Sequence, residues 1–234
     1  MAAKKKASTK PKTNTDIVQG SDAWRNLRSG KVTASRITDV MDYKKNGDES
    51  AARAAYRTQI VTEMLTGVPF DYAYETPAMR WGREQEPFAR LLYGQLRGVE
   101  VQQIAFAPHE ALEHAGASPD GLVGPDGLLE IKCPMSHTHL AYCLAGAVVE
   151  DYKLQMLWQL ACMPERKWVD FVSFDPRVGS DLAIFIRRFH RDAAAEQQIK
   201  HITEEVKKFI GECQDAVKKL KALTPEYLYD KQGA

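Results

Sequence analysis

The sequence predicts an α/β (α+β) fold with a central mixed β-sheet flanked by helices. Three observations lead there. Up to about Leu96 the apolar residues recur at helical spacing; between residues 99 and 132 the period shortens to that of strands; and the C-terminal part holds a β-hairpin followed by a long amphipathic helix. An apolar content of 44% in 234 residues supports one sizeable core. No linker-like segment divides the pattern, so residues 16–234 are expected to form a single domain.

Residues 1–15 carry Lys4, Lys5, Lys6, Lys10 and Lys12 and no acidic residue, so they cannot bury enough apolar surface to offset ordering and are expected to be a disordered basic tail. A solubilising extension is the simpler reading of that tail, and a DNA-contacting arm is the other. Ser21 before Trp24, Leu27 and Arg28 predicts a capped helix that stops at Gly30, and a second short helix starts near Ser35. Ala54, Ile60, Val61, Met64 and Leu65 predict a helix over residues 49–66, closed by Gly67. Residues 77–96 read as a further helix interrupted at Pro87.

Val99, Val101, Ile104 and Phe106 predict a strand, and two short strands flank the turn at residues 124–127. Residues 138–162 read as one largely buried helix. Residues 168–174 and 182–189, separated by Asp175, Pro176, Arg177 and Gly179, read as a hairpin, and residues 192–223 as the terminal amphipathic helix.

Several function classes drop out. No run of eighteen apolar residues occurs, and the N-terminus lacks a charged cap followed by a hydrophobic block, so no membrane span or secretory signal is expected and the expected location is the cytoplasm. Cys133, Cys143, Cys162 and Cys213 lie far apart with no C-x-x-C pair, which predicts reduced thiols rather than a zinc or iron–sulfur site. His109, His114, His137 and His139 are expected in loops or on the surface. The net charge of +1 carries no bulk signal for a polyanionic partner.

The chemistry concentrates in residues 118–134. Pro125 and Gly127 suit a type I turn with a glycine bulge, a register that pairs Gly124 with Leu128, Leu122 with Glu130 and Asp120 with Lys132. Asp120, Glu130 and Lys132 then share one face, while Leu129 and Ile131 take the other. Two carboxylates beside an ammonium are costly in a dry environment unless they form a site, and oxygen ligands of this type suit Mg²⁺, with Mn²⁺ able to substitute. Such an ion polarises a phosphate and activates water, and the lysine orients that water or neutralises developing charge. The spacing D-x(9)-E-x-K also fits a solvated hairpin with an exposed ion pair. Against that, Glu130 and Lys132 alternate with Leu128, Leu129, Ile131 and Cys133, a strand apolar on both sides.

Further blocks surround this core. Trp24, Leu27, Arg28, Gly30, Val32, Thr33, Ala34 and Ser35 follow the spacing W-x-x-L-R-x-G-x-[IV]-T-[AG]-S, and Trp81, Gly82 and Glu86 follow W-G-x-x-x-E. Ser118-Pro119-Asp120-Gly121, Leu129-Glu130-Ile131-Lys132-Cys133-Pro134, Tyr152-Lys153-Leu154-Gln155-Met156 and Phe174-Asp175-Pro176-Arg177 come next. In this order, over roughly residues 17–190, they resemble the lambda-exonuclease-like viral recombinase nucleases, the YqaJ family of the PD-(D/E)XK superfamily.

The resemblance implies a restriction-endonuclease-like core in which Asp120, Glu130 and the backbone carbonyl of Ile131 hold the metal. Glu86 completes the site directly or through water, Lys132 serves the nucleophilic water, and Gln155 lies against the site. It also implies a pocket for the 5′-phosphate built from Arg28, Ser35 and Ser118. Taken singly, Glu86 also fits a helix-surface charge, Gln155 an ordinary polar residue, and Arg28 a partner for a nearby carboxylate. The implied activity is that of a 5′-to-3′ double-stranded DNA exonuclease acting at duplex ends and leaving 3′ single strands for phage-type recombination. The implied assembly is a homotrimeric ring, the partner a single-strand annealing protein, and the setting a bacterial host with a phage or prophage gene. A PD-(D/E)XK endonuclease and a catalytically silent DNA-binding protein are the alternatives.

Overall fold

The computed structural model describes residues 17–70, 76–148 and 150–223; the expected basic tail lies outside them. Helix α1 (Asp22–Arg28) starts where Ser21 Oγ accepts the Trp24 N–H at 3.2 Å. Strand β1 (Val32–Thr33) and a 3₁₀ turn (Ala34–Arg36) lead into α2 (Ile37–Met41). Helix α3 (Ala51–Thr66) is capped by Ser50 and ends at Gly67, whose φ of 69° is the left-handed stop expected of that glycine. Helix α4 (Pro77–Arg97) runs through Pro87 without a break, unlike the interruption expected. The missing N–H at Pro87 costs about 3 kcal/mol in a helix interior. The half of α4 beyond it is anchored: Ala89 and Tyr93 are fully buried, and the Tyr93 hydroxyl donates to Asp170 at 2.7 Å.

The chain then forms β2 (Val101–Gln102), β3 (Ala107–Pro108), β4 (Ala115–Ala117), β5 (Gly121–Val123) and β6 (Gly127–Lys132). Helices α5 (Ser136–Ala145) and α6 (Glu150–Cys162) follow, then β7 (Trp168–Phe174), β8 (Ile184–His190) and α7 (Ala193–Lys221). Five strands form the central sheet in the order β2-β5-β6-β7-β8, with β6 and β7 parallel and the other neighbours antiparallel. A small sheet of order β1-β4-β3 stands beside it. One face of the central sheet, with Leu122, Leu128, Val169 and Phe171, packs into a cluster with Ile60, Met156, Trp158 and Phe209. The other, with Val123, Leu129, Ile131 and Val172, packs against Ala89 and Tyr93 of α4. This is the mixed α/β PD-(D/E)XK core, and burial on both faces explains why β6 is apolar almost throughout.

Three further expectations need correction. Residues 99–106 do not form one strand. Ile104, Ala105 and Phe106 are buried in succession rather than alternately, and the Ile104 and Ala105 carbonyls accept from the side chains of Gln19, Trp24 and Ser118 instead of a strand neighbour. Residues 138–162 are two helices, because Gly146 adopts φ 64° and its N–H closes α5 on the Tyr142 carbonyl at 3.2 Å. The β5–β6 hairpin pairs Leu122 with Leu128 and Val123 with Gly127, two residues from the expected register. Gly124, at φ 53°, takes the left-handed turn position, while Gly127 is required for close approach: a Cβ there would lie 2.2 Å from the Trp168 ring. A slip of two preserves which side chains share a face, so the placement of Asp120, Glu130 and Lys132 together survives.

Candidate active site

Asp120 stands at the entrance of β5, where the ladder gives way to side-chain bonding. Its N–H donates to the Leu129 carbonyl at 3.0 Å, and its Oδ2 accepts the Ile131 N–H at 2.6 Å. In a strand the N–H and C=O of one residue point to the same side, so the Ile131 carbonyl points to the side of β6 on which Asp120 lies. Glu130, on β6, is fully buried. Its Oε1 accepts from Lys132 Nζ at 2.5 Å and Gln155 Nε2 at 2.7 Å, and its Oε2 accepts from Gln159 Nε2 at 2.5 Å. The Lys132 ammonium also lies 3.4 Å from Gln155 Oε1 and 4.9 Å from the centre of the Tyr152 ring.

From the other face, Glu86 of α4 pairs with Arg90, and Arg90 Nε donates to the Asp120 carbonyl at 3.0 Å. Glu86 is half-buried, with 30% of its side chain exposed. Burial is the main reason its carboxyl is raised above the ordinary range; Arg90 opposes that shift, and Glu130 adds to it.

The Asp120 carboxyl is held well above its usual range, first by burial and then by the charges of Glu130 and Glu86, which Lys132 offsets only in part. Burial alone would lower Lys132, but Glu130 and Asp120 reverse this and keep its ammonium charged. Burial, reinforced by Glu86 and Asp120, pushes the neighbouring Cys133 thiol up to about 12, so it stays protonated and is no nucleophile.

Among the described residues, no three His, Cys, Asp or Glu side chains converge on a ready-made metal position. Glu130 is gripped by Lys132 and two glutamines, and Glu86 by Arg90. Yet Asp120 feels both other carboxylates, a surplus of negative oxygen that a hard cation relieves. The donor set of Asp120, Glu130, Glu86 and the Ile131 carbonyl, all oxygen, fits Mg²⁺.

The three residues of the expected phosphate pocket come together. Arg28 Nη2 donates to Ser35 Oγ at 3.1 Å and to Thr33 Oγ1 at 3.2 Å, and its guanidinium lies over Trp24, 4.1 Å from the ring centre. The Trp24 indole N–H reaches Ser118 Oγ at 3.2 Å, two residues before Asp120. Among the described residues no carboxylate lies within salt-bridge distance of Arg28, although the charges of Glu63 and Asp120 act on it from farther off.

Arg90, Gln159, Trp24 and Thr33 were not singled out as site residues in the sequence. Arg90 follows Glu86, and Gln159 follows Gln155, by four positions, the spacing that shares a helix face, and that periodicity was the available signal. The histidine expectation fails at His139. It is fully buried on α5, with one ring nitrogen on Ser173 Oγ and the other on the Leu182 carbonyl, each at 2.8 Å, a structural role. Cys133 and Cys143 are partly exposed, and Cys162 and Cys213 are buried; all four are free. No helix among the described residues is long and apolar enough to cross a membrane.

Among solved structures, an alkaline exonuclease from Laribacter hongkongensis is similar, with a TM-score of 0.77 and 38% identity over 86% of this chain and 96% of that one. The same enzyme in complex with dAMP matches equally. A phage-related exonuclease from Haemophilus somnus 129PT shares the fold, with a TM-score of 0.54 and 17% identity over 82% of this chain and 98% of that one. Curated proteins yield no sequence match. The family model of the YqaJ-like viral recombinase domain matches residues 23–164, which span α1, the Asp120–Glu130–Lys132 hairpin and the glutamines of α6. With more than half of its length matched by that model, the chain belongs to the YqaJ-like viral recombinase family.

Proposed function

We propose that the chain is a deoxyribonuclease, a Mg²⁺-dependent exonuclease that degrades double-stranded DNA from the 5′ end and leaves 3′ single strands for recombination by strand annealing. The observation that carries this is Arg28: a guanidinium with no carboxylate within salt-bridge distance among the described residues, tied to Ser35 and, through Trp24, to Ser118 beside Asp120. A planar cation with hydroxyls alongside is a receptor for a terminal phosphate, and its nearness to the acidic cluster fixes which bond meets the chemistry. The similar Laribacter enzyme is an alkaline exonuclease and has been captured with dAMP, a deoxynucleoside monophosphate.

Asp120, Glu130, Glu86 and the Ile131 carbonyl are the residues that would hold Mg²⁺. When bound, the ion supplies Lewis-acid polarisation of the phosphate and a lowered pKa for water. The chain's own groups do the rest. Lys132, kept charged by Glu130 and Asp120, donates hydrogen bonds rather than taking a proton, which suits orienting water and neutralising charge on the phosphate. Gln155 bridges Lys132 and Glu130 and keeps the two in register. Arg28, Ser35 and Ser118 bind the end of the strand, using energy remote from the scissile bond for positioning.

Family membership further supports a homotrimeric ring around the duplex, a single-strand annealing partner, and work in the cytoplasm of a bacterial host from a phage or prophage gene. The deciding experiment is the degradation in Mg²⁺ of linear duplexes labelled at either end, with and without a 5′-phosphate, beside a closed circle. Loss of the 5′-labelled strand first, with preference for the phosphorylated end, is the expected result. Equal cutting of closed circles would make the protein an endonuclease, and binding without cleavage a silent DNA-binding protein.

A further inference from the structure

Helix α6 presents Met156, Leu157, Trp158 and Leu160 to the core, all fully buried, and among its described residues Gln159 is the one fully buried polar side chain. Its Nε2 donates to Glu130 Oε2 at 2.5 Å, while its own Oε1 is buried with no hydrogen-bond partner. The amide orientation is chemically required. Turned over, it would set an amide oxygen against a carboxylate oxygen, two acceptors facing each other. An apolar residue of similar volume would spare the core an unsatisfied acceptor, so the position pays a stability cost for its one contact.

That contact divides the two oxygens of Glu130. Oε2 is occupied from the core side by Gln159; Oε1 meets Lys132 and Gln155, both partly exposed. We infer that Gln159 is a positioning residue: by holding Oε2 it fixes the plane of the Glu130 carboxylate and leaves Oε1 as the oxygen offered to the reaction. This rests on the nuclease reading above and adds to it a residue that neither the motif blocks nor their spacing assign.

The test uses the full-length chain with Gln159→Leu, which removes the donor at similar volume, and Gln159→Asn, which keeps an amide too short to reach. Mn²⁺ binding is measured by titration calorimetry, and cleavage of a 5′-phosphorylated linear duplex in single turnover at saturating Mg²⁺. Both variants should bind Mn²⁺ about tenfold more weakly and cleave about tenfold to a hundredfold more slowly, the range for removing a group that orients a metal ligand. In a Glu130→Gln background, Gln159→Leu should weaken Mn²⁺ binding no further, because the effect passes through Glu130. If Gln159→Leu does not fold, Gln159→Asn gives the same readouts. Folded variants with parental Mn²⁺ affinity and rate, even if less heat-stable, overturn the inference, as does an undiminished effect without Glu130. A parent protein that binds Mn²⁺ but leaves linear duplex intact removes the exonuclease reading while the Mn²⁺ data still decide the role of Gln159. One that neither binds nor cleaves removes both.

Discussion

The guanidinium of Arg28 lies over the indole of Trp24, its central carbon 4.1 Å from the ring centre. The two are four residues apart on α1, the spacing that stacks side chains along one helix face, so the arginine is pre-aligned before any ligand arrives.

Replacing Arg28 with Ala should therefore erase most of the preference for 5′-phosphorylated over 5′-hydroxyl duplex, by about 1–3 kcal/mol, the scale of charge-assisted hydrogen bonds. Mg²⁺ dependence should not change. Single-turnover rates on the two duplexes at fixed salt measure this. A parent protein indifferent to the phosphate would remove the pocket's assigned role.

Asp120→Asn and Glu130→Gln should each abolish cleavage without unfolding the protein, since each removes a ligand charge at constant shape. Appreciable activity in Mg²⁺ from both would dismiss the site.

The raised pKa of Asp120 has a second consequence. The native state binds this proton more tightly than the unfolded chain, so the contribution of Asp120 to stability is greatest at acid pH. It falls as pH climbs from the ordinary aspartate range through the raised native value. In the absence of divalent ions, Asp120→Asn should flatten that fall. Denaturant titrations of parent and variant across the acidic to neutral range, in chelator, provide the comparison, and parallel pH profiles would contradict the charge crowding at Asp120.

Lys132→Ala should slow cleavage by roughly a hundredfold or more, the scale of losing a preorganised electrostatic group. It also strips Glu130 of its counter-ion and leaves only Gln155 and Gln159 on the carboxylate. A near-normal rate in a folded variant would reduce the lysine to part of a hairpin ion pair.

Cleavage should appear with Mg²⁺ or Mn²⁺, while Ca²⁺ binds without supporting it, because its larger and looser coordination positions two oxygens poorly. Activity that needs zinc and resists excess Mg²⁺ would contradict the all-oxygen ligand set.

The parts of this site that lie close together in sequence could be read from it. Asp120, Glu130 and Lys132 sit on one hairpin, where the period of two dictates facing even though the register was misplaced by two. Arg28, Ser35 and Ser118 carry no such local signal, and only the resemblance of the ordered blocks to a family pointed to them. The rest depends on packing between distant elements. The four-residue spacing puts Gln159 and Arg90 on the helix faces of Gln155 and Glu86, but it does not say which residues some thirty positions away they reach. The β1-β4-β3 sheet is built around Ala115, Gly116 and Ala117, which carry no strand signal. Gly116 is there because a Cβ would lie 2.1 Å from the Phe106 ring. Pro87 misled in the opposite direction, since tertiary anchoring of α4 outweighs its local cost.

The break at Gly146 also sets a length. An unbroken helix from Ser136 to Cys162 would extend about 40 Å at 1.5 Å per residue, twice the roughly 20 Å of the six-residue strand β6. Stopped at Gly146 and restarted at Glu150, α6 is itself about 20 Å long, commensurate with β6, whose Glu130 its glutamines reach. One turn of that helix, from Gln155 to Gln159, spans the same stretch as Glu130 and its partner Lys132, so two glutamines can address one carboxylate from successive levels. Each residue added to or removed from the bend would turn α6 by about 100° and move it by about 1.5 Å, and with it the alignment of amide and acid.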